Sequence, residues 1–296
     1  MTDVTPRPAA AGVLSRAPSG GLVIAAITSV QFGGALAVHL FASVGPGGAV
    51  LLRLASASVV LLAVSSPRLG GLALRSLPLT AAFGLVLAGM NLSFYASIDR
   101  IPLGIAVSLE FVGPLAVAVG GSRRWSDLVW VVLAVAGILA LTHAGGARPV
   151  DVLGVAFALL AGCCWGVYIL LSARVGRMFE RGTGLSLAMC FASLVTLPVG
   201  LAAAGARLFA PTSVALGCAV GMLSSAIPYS FELEALRRIA APVFGVLMSL
   251  EPAMAALAGL LVLDQGLSAR TVVGIVLVIS ASVGASRRTG EAPTPV

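Results

Sequence analysis

The sequence predicts an all-α membrane protein of ten transmembrane helices, built as two inverted five-helix repeats. Three observations lead there. The chain of 296 residues is 59% hydrophobic and only 10% charged, with a mean hydropathy of +1.08, too little charge to cover a water-facing surface. Apolar stretches of roughly 17–22 residues recur along it, each long enough to cross a hydrocarbon core about 30 Å thick. The tripeptide Ser-Leu-Glu also occurs twice, at 108–110 and 249–251, each time behind a glycine at the same spacing, Gly104-x3-Ser108 and Gly245-x3-Ser249.

Residues 1–20, with Pro6, Pro8 and Pro18, read as a disordered cytoplasmic tail; they lack the basic start, apolar core and small-residue cleavage site of a signal peptide. Spans follow near 21–42, 47–65, 77–97, 102–120 and 126–143, which make up a first repeat over 21–143. A second set near 151–172, 183–204, 212–235, 241–262 and 269–286 makes up a second repeat over 151–286, and 287–296 is another tail. The connections are short and leave no soluble domain. Five spans per repeat is an odd number, so the second repeat enters the membrane upside down, as in many secondary transporters.

Aligning the two Ser-Leu-Glu copies superposes Gly104 on Gly245 at an offset close to half the chain. A weaker echo sets Gln31-Phe32-Gly33 against Cys164-Trp165-Gly166. Glu110 and Glu251 both fall near the middle of their spans, where a charged side chain is costly unless paired or hydrated. Pro114 cannot donate to the Glu110 carbonyl, nor Pro252 to that of Met248, so both helices are expected to break beside their glutamates. At membrane depth such breaks persist only where protein or water satisfies the backbone again.

All 18 basic residues are arginine. With the N-terminus inside, Arg7, Arg16, Arg68, Arg75, Arg123, Arg124, Arg174, Arg177, Arg181, Arg237, Arg238, Arg287 and Arg288 fall on the cytoplasmic side. Arg100, Arg148, Arg207 and Arg270 fall outside, and Arg53 lies within a span. This asymmetry follows the positive-inside rule and puts both termini in the cytoplasm. It also accounts for the net charge of +7 without nucleic acid. The four cysteines lie in spans with apolar neighbours, form no CxxC pair and read as packing residues rather than metal ligands. No phosphate-binding loop is present, and a chain without lysine cannot build one. No cofactor is called for.

The run Ile101-Pro102-Leu103-Gly104-Ile105-Ala106-Val107-Ser108-Leu109-Glu110-Phe111-Val112-Gly113-Pro114 carries a resemblance, together with Gly89-Met90-Asn91, Phe94-Tyr95 and Ser122-Arg123-Arg124. Cys164-Trp165, Tyr168-Ile169-Leu170, Pro228-Tyr229-Ser230-Phe231-Glu232 and Leu247-Met248-Ser249-Leu250-Glu251-Pro252 extend it. The chain resembles the bacterial threonine/homoserine exporter group of the EamA-type drug/metabolite transporter superfamily over roughly residues 25–286. The resemblance implies a ten-helix plasma-membrane exporter of amino acids or related small metabolites, driven by an ion gradient. Two departures bear on substrate and coupling ion: Val38 stands where the group often has lysine, and Asp264-Gln265 where it has Gly-Glu.

Glu110 and Glu251 are the leading site candidates: a buried glutamate can exchange the coupling proton or hold a substrate ammonium. The alternative is that they bond to neighbouring groups and lock the core. Glu232 belongs to the family-like run, and a role near the inner mouth is weighed against a structural one. Glu234 stands three and four residues before Arg237 and Arg238 and is expected to form a helical ion pair instead. Asn91 and Tyr95, four apart, share one face of their helix. With Gln31, Trp165, Tyr168 and Tyr229 they either line a cavity or bond to adjacent helices, as polar residues in membranes do. Arg53 lies about two turns from the outer surface; it reads as snorkelling to that interface, with a substrate carboxylate as the alternative. His39 and His143 sit near outer helix ends, and Trp125 reads as an interfacial anchor. The two Gly-x3-Ser motifs permit close helix approach, within the chain or in a homodimer.

The expected function is therefore a secondary transporter exporting a small polar metabolite by alternating access, with a proton as the coupling ion. The alternatives are an exporter of a drug-like or nucleotide-derived compound, an intramembrane enzyme, and a receptor or scaffold. An enzyme would need a nucleophile with a base in reach, and no such pair is visible. A receptor or scaffold leaves the two symmetric buried glutamates without a purpose.

Overall fold

The computed structural model describes residues 18–65, 77–120, 128–142, 151–179, 183–236, 238–239 and 241–289. Among these the secondary structure is helical throughout. Expectations for most of the two tails, for Arg7, Arg16, Arg68, Arg75, Arg123, Arg124, Arg148, Arg181 and Arg237, and for Trp125 and His143 lie outside the described residues.

Helix α1 (Ser19–Ser65) has 47 residues, with non-helical Gly45 inside it (φ 67°, ψ 170°). At about 1.5 Å per residue it would be roughly 70 Å long if straight, more than twice the thickness of a membrane core. Gly45 adopts the positive φ that a Cβ would oppose, and Pro46 presets the φ of the next helical turn. The break falls between the two apolar stretches expected at 21–42 and 47–65.

Next come α2 (Leu77–Ile98), α3 (Leu103–Glu110), α4 (Val112–Gly120), α5 (Leu128–Thr142) and α6 (Val152–Met178). Asp151 caps α6 by accepting from the Gly154 N–H at 3.0 Å. The helix runs six residues past the expected stretch, carrying Arg174 and Arg177 at its end. Then follow α7 (Thr183–Ala204), a 3-10 turn (Gly205–Phe209), α8 (Pro211–Gly221), a π turn (Met222–Ala226) and α9 (Ile227–Leu236). The chain ends with α10 (Ala241–Met248), α11 (Glu251–Leu263) and α12 (Ala269–Thr289). Asp264, at φ 53°, ends α11 in the left-handed conformation, and the Gln265 N–H returns to the Gly259 carbonyl at 3.0 Å, a common way to satisfy a helix C-terminus.

The two proline breaks occur beside the glutamates. Glu110 is the last residue of α3 and Glu251 the first of α11. The corresponding hydroxyls behave alike: Ser108 donates to the Gly104 carbonyl at 2.6 Å and Ser249 to that of Gly245 at 2.9 Å.

α3 packs against α11 and α6, α11 also contacts α1, and α2 lies on α6 and α7. A methyl group on Gly104 would stand 2.8 Å from the Ala256 Cα, and one on Gly113 would overlap the Gly162 carbonyl oxygen. Glycine is thus required at both crossings, and the first Gly-x3-Ser motif serves the contact of α3 with α11 within the chain.

The outer surface is apolar: Val59, Val64, Leu139, Leu194 and Val273 are all exposed. Water would not tolerate such a surface, but lipid does. Six helices among the described residues are long and apolar enough to cross a membrane: Ser19–Ser65, Leu77–Ile98, Val152–Met178, Thr183–Phe209, Pro211–Tyr229 and Val243–Leu263. The molecule is a multi-pass membrane protein.

Candidate functional site

A cavity of about 140 Å³ opens where the broken helices meet α1, α2, α6 and α9. Gln31 enters it from the first arm of α1, and Arg53 from the second. Asn91 comes from α2, Glu110 from the end of α3, and Trp165 and Tyr168 from α6. Ser224 of the π turn, Tyr229 and Glu232 of α9 and Glu251 at the start of α11 complete the polar lining. Met90, Phe94, Val107, Pro228 and Met248 supply apolar wall. A largely apolar pocket with a few convergent polar groups has the composition of a small-molecule site.

The carboxylates come from both halves of the chain. Glu110 ends α3 because Pro114 withholds the N–H that would continue the helix. Glu251 begins α11 with Pro252 behind it, in the first helical turn where a missing N–H costs nothing. It is buried, 7% exposed. Glu251 interacts electrostatically with Glu110 and Glu232, and Arg53 with Glu110, yet among the described residues no ion pair joins Arg53 to any of the three. Three carboxylates and one guanidinium, if all ionised, leave an excess of two negative charges. Protons or a cationic ligand must balance that excess in so apolar a setting.

Eight of the nine residues expected from sequence line the cavity: Gln31, Asn91, Glu110, Trp165, Tyr168, Tyr229, Glu232 and Glu251. The ninth, Tyr95, is fully buried one layer behind and touches the cavity through Arg53, which donates to its hydroxyl at 3.3 Å. Asn91 donates to the Leu87 carbonyl at 2.8 Å, and the ring of Trp165 stands edge-on to Phe111 at 5.1 Å. Tyr168 is stacked on Phe83 at 5.2 Å. Glu234 behaves as expected, accepting from Arg238 one turn on, away from the cavity. His39 is exposed, with Nδ1 3.3 Å from the Ala35 carbonyl.

Arg53 differs from its expected place. It does not reach for the outer interface but turns inward, with its Cζ 5.5 Å from the Tyr95 ring centre and a second donor 3.3 Å from the Ser224 carbonyl. A lone arginine in an apolar stretch was the available signal, because an ionisable group inside a membrane most often marks a ligand or ion path. Ser224 had no such signal, since nothing in Met222-Leu223-Ser224-Ser225-Ala226 announces a π turn.

Helical breaks beside carboxylates that meet in one cavity of an apolar helical bundle fit a membrane transporter, and comparison with known proteins agrees. The chain belongs to the EamA-like transporter family, which matches residues 152–287. Over 267 residues it is 43% identical to the threonine/homoserine exporter RhtA of Salmonella typhimurium (strain LT2) and to that of Escherichia coli (strain K12), covering 90% of each chain. An uncharacterized transporter of Clostridium kluyveri is 25% identical over 142 residues, 47% of this chain and 45% of its own length. A solved protein crystal structure superposes with a TM-score of 0.60 over 92% of this chain and 99% of its own, at 17% identity, which shows a shared fold.

Proposed function

We propose that the protein exports an α-amino acid, with threonine or homoserine as the leading substrates, by proton-coupled alternating access between two inverted five-helix repeats. The observation that carries this reading is the meeting of Glu110 and Glu251, from equivalent places in the two halves, in one cavity. The identity to curated threonine/homoserine exporters over 90% of the chain supplies the substrate class.

Counting the two arms of α1 separately gives seven long spans, and the shorter apolar helices Leu103–Val117, Val129–Leu141 and Ala269–Gly284 bring the number to ten. Contacts within the bundle support two related halves: α3 packs on α11, and α5 on α12. The excess of arginine in alternate connections supports both termini in the cytoplasm of a plasma-membrane protein. The cavity of about 140 Å³ suits a small metabolite and is below the roughly 300–1,000 Å³ of sites for drug-sized ligands.

In this cycle the inward-facing cavity takes up substrate with its ammonium toward the glutamates. The outward-facing cavity releases it as a proton arrives on a carboxylate, and the proton carries the site back. Glu110, Glu232 and Glu251 hold ammonium or proton in turn; Gln31, Asn91, Tyr95, Trp165, Tyr168 and Tyr229 shape the site.

Efflux from an exporter-deficient host provides the test. Cells preloaded with labelled threonine or homoserine should lose it faster when they make this protein, and should grow at inhibitory concentrations of either amino acid. Equal loss with and without the protein, at verified membrane levels, would overturn the reading.

A further inference from the structure

The glutamates account for the cationic end of a ligand, but among the described residues none of them forms a direct ion pair with the permanently charged guanidinium at the same cavity. Arginine stays protonated in proteins and offers five N–H donors in a rigid fork. The described partners of Arg53 are all neutral: the Tyr95 hydroxyl and the Ser224 carbonyl, each at 3.3 Å, and the face of the Tyr95 ring. Both hydrogen bonds are slightly longer than the usual range. Its Nε is buried with no hydrogen-bond partner, and so is the hydroxyl of Ser224, a residue only 4% exposed. Both residues line the cavity.

Two unpartnered donors beside a cation with no direct ion pair form an incomplete site. A buried donor left unmade is costly, so such an arrangement is retained where a ligand completes it. The best complement to a guanidinium fork and a neighbouring hydroxyl is a carboxylate, whose two oxygens accept several hydrogen bonds at once. The π turn positions Ser224 here: it widens the helix between α8 and α9 and brings the Ser224 carbonyl to Arg53.

We propose that Arg53, with the Ser224 hydroxyl, binds the substrate's carboxylate, so that the site takes only compounds carrying a free carboxylate beside an ammonium group. The inference rests on the amino-acid reading above and adds the residue that selects for the acid end. A ligand with an ammonium alone leaves Arg53 unpaired, and one with a carboxylate alone leaves the glutamates facing each other. Only a dipolar ligand satisfies both sides of the cavity. The guanidinium is thus a specificity determinant, not a fixed counter-ion for Glu110.

Binding of labelled threonine to the purified full-length protein, competed with unlabelled threonine and with threonine amide, tests the assignment. Wild-type protein should prefer threonine over its amide by roughly 10- to 100-fold, the value of a charge-assisted hydrogen bond. Arg53→Gln should weaken threonine binding by a similar factor while barely changing that of the amide, so that the preference collapses. Arg53→Lys should restore part of it, and Ser224→Ala, which leaves the guanidinium in place, should reduce it less. If Arg53→Gln does not fold, the Lys and Ala variants carry the same comparison. Equal weakening of both ligands, or an undiminished preference in the folded variants, would overturn the assignment while leaving amino-acid export standing. No threonine or homoserine binding by the wild type would overturn both.

Discussion

At the residue scale, single groups hold the site's walls in place across large distances in the chain. Gln265 accepts from the Leu103 N–H at 2.9 Å and so satisfies one of the free donors at the start of α3 from the far end of α11. This ties the helix that carries Glu110 to the one that begins at Glu251. Gln265→Ala leaves that donor unmade and should cost about 0.5–2 kcal/mol, the usual range for a lost helix cap. Gln265→Glu keeps the acceptor and places a negative charge at a helix N-terminus, where the dipole favours it. Thermal unfolding in detergent should therefore show a lower midpoint for the alanine variant and little change for the glutamate variant. The same scale shows where sequence reasoning stops. The intramembrane position of Arg53 is legible, but its direction is not. A long cationic side chain reaches either outward to the interface or inward to a cavity. Its choice is fixed by Tyr95 and Ser224, which lie far away in sequence.

At the scale of elements, the helices were legible because a membrane leaves the chain few options: every span must satisfy its own backbone, and apolar length sets its extent. The proline breaks beside Glu110 and Glu251 followed from the missing N–H groups, and the turn at Gly45 from the spacing of two apolar stretches too long for one crossing. The π turn at Met222–Ala226 was not legible, since nothing in its composition marks it; it packs closely on α1, where a methyl group on Gly33 would stand 2.9 Å from the Leu223 Cβ. Close crossings of this kind make a second prediction. A Cβ at Gly162 would stand 2.6 Å from the Glu110 carbonyl oxygen, and backbone cannot give way as a flexible side chain does. Gly162→Ala should destabilise the protein by about 1–3 kcal/mol through overpacking and displace Glu110. Gly176→Ala, where a Cβ meets nothing within 4 Å, should do neither. Unfolding midpoints and threonine efflux, measured on both variants, check this pair.

At the scale of the whole molecule, transport depends on charge balance inside an apolar body. Glu110 and Glu251 come to the cavity from matching positions in the two halves, Glu232 joins them, and Arg53 stands across from them with neutral partners. A dipolar substrate pairs its ammonium with a carboxylate and its own carboxylate with Arg53, while protons neutralise carboxylates directly. Either lowers the cost of the buried charges, which is what an exchange cycle needs. The most direct test is efflux of labelled threonine from membrane vesicles under an imposed pH gradient, comparing wild type with Glu251→Gln at equal protein levels. Glutamine keeps the shape and hydrogen-bonding capacity of glutamate but cannot titrate. Glu234→Gln is the control, because a helical ion pair outside the site is worth only about 0.3–0.5 kcal/mol. Glu251→Gln should insert and fold normally yet lose gradient-driven efflux, while Glu234→Gln should transport like the wild type. Near-normal, gradient-driven efflux by Glu251→Gln would contradict proton coupling at that residue.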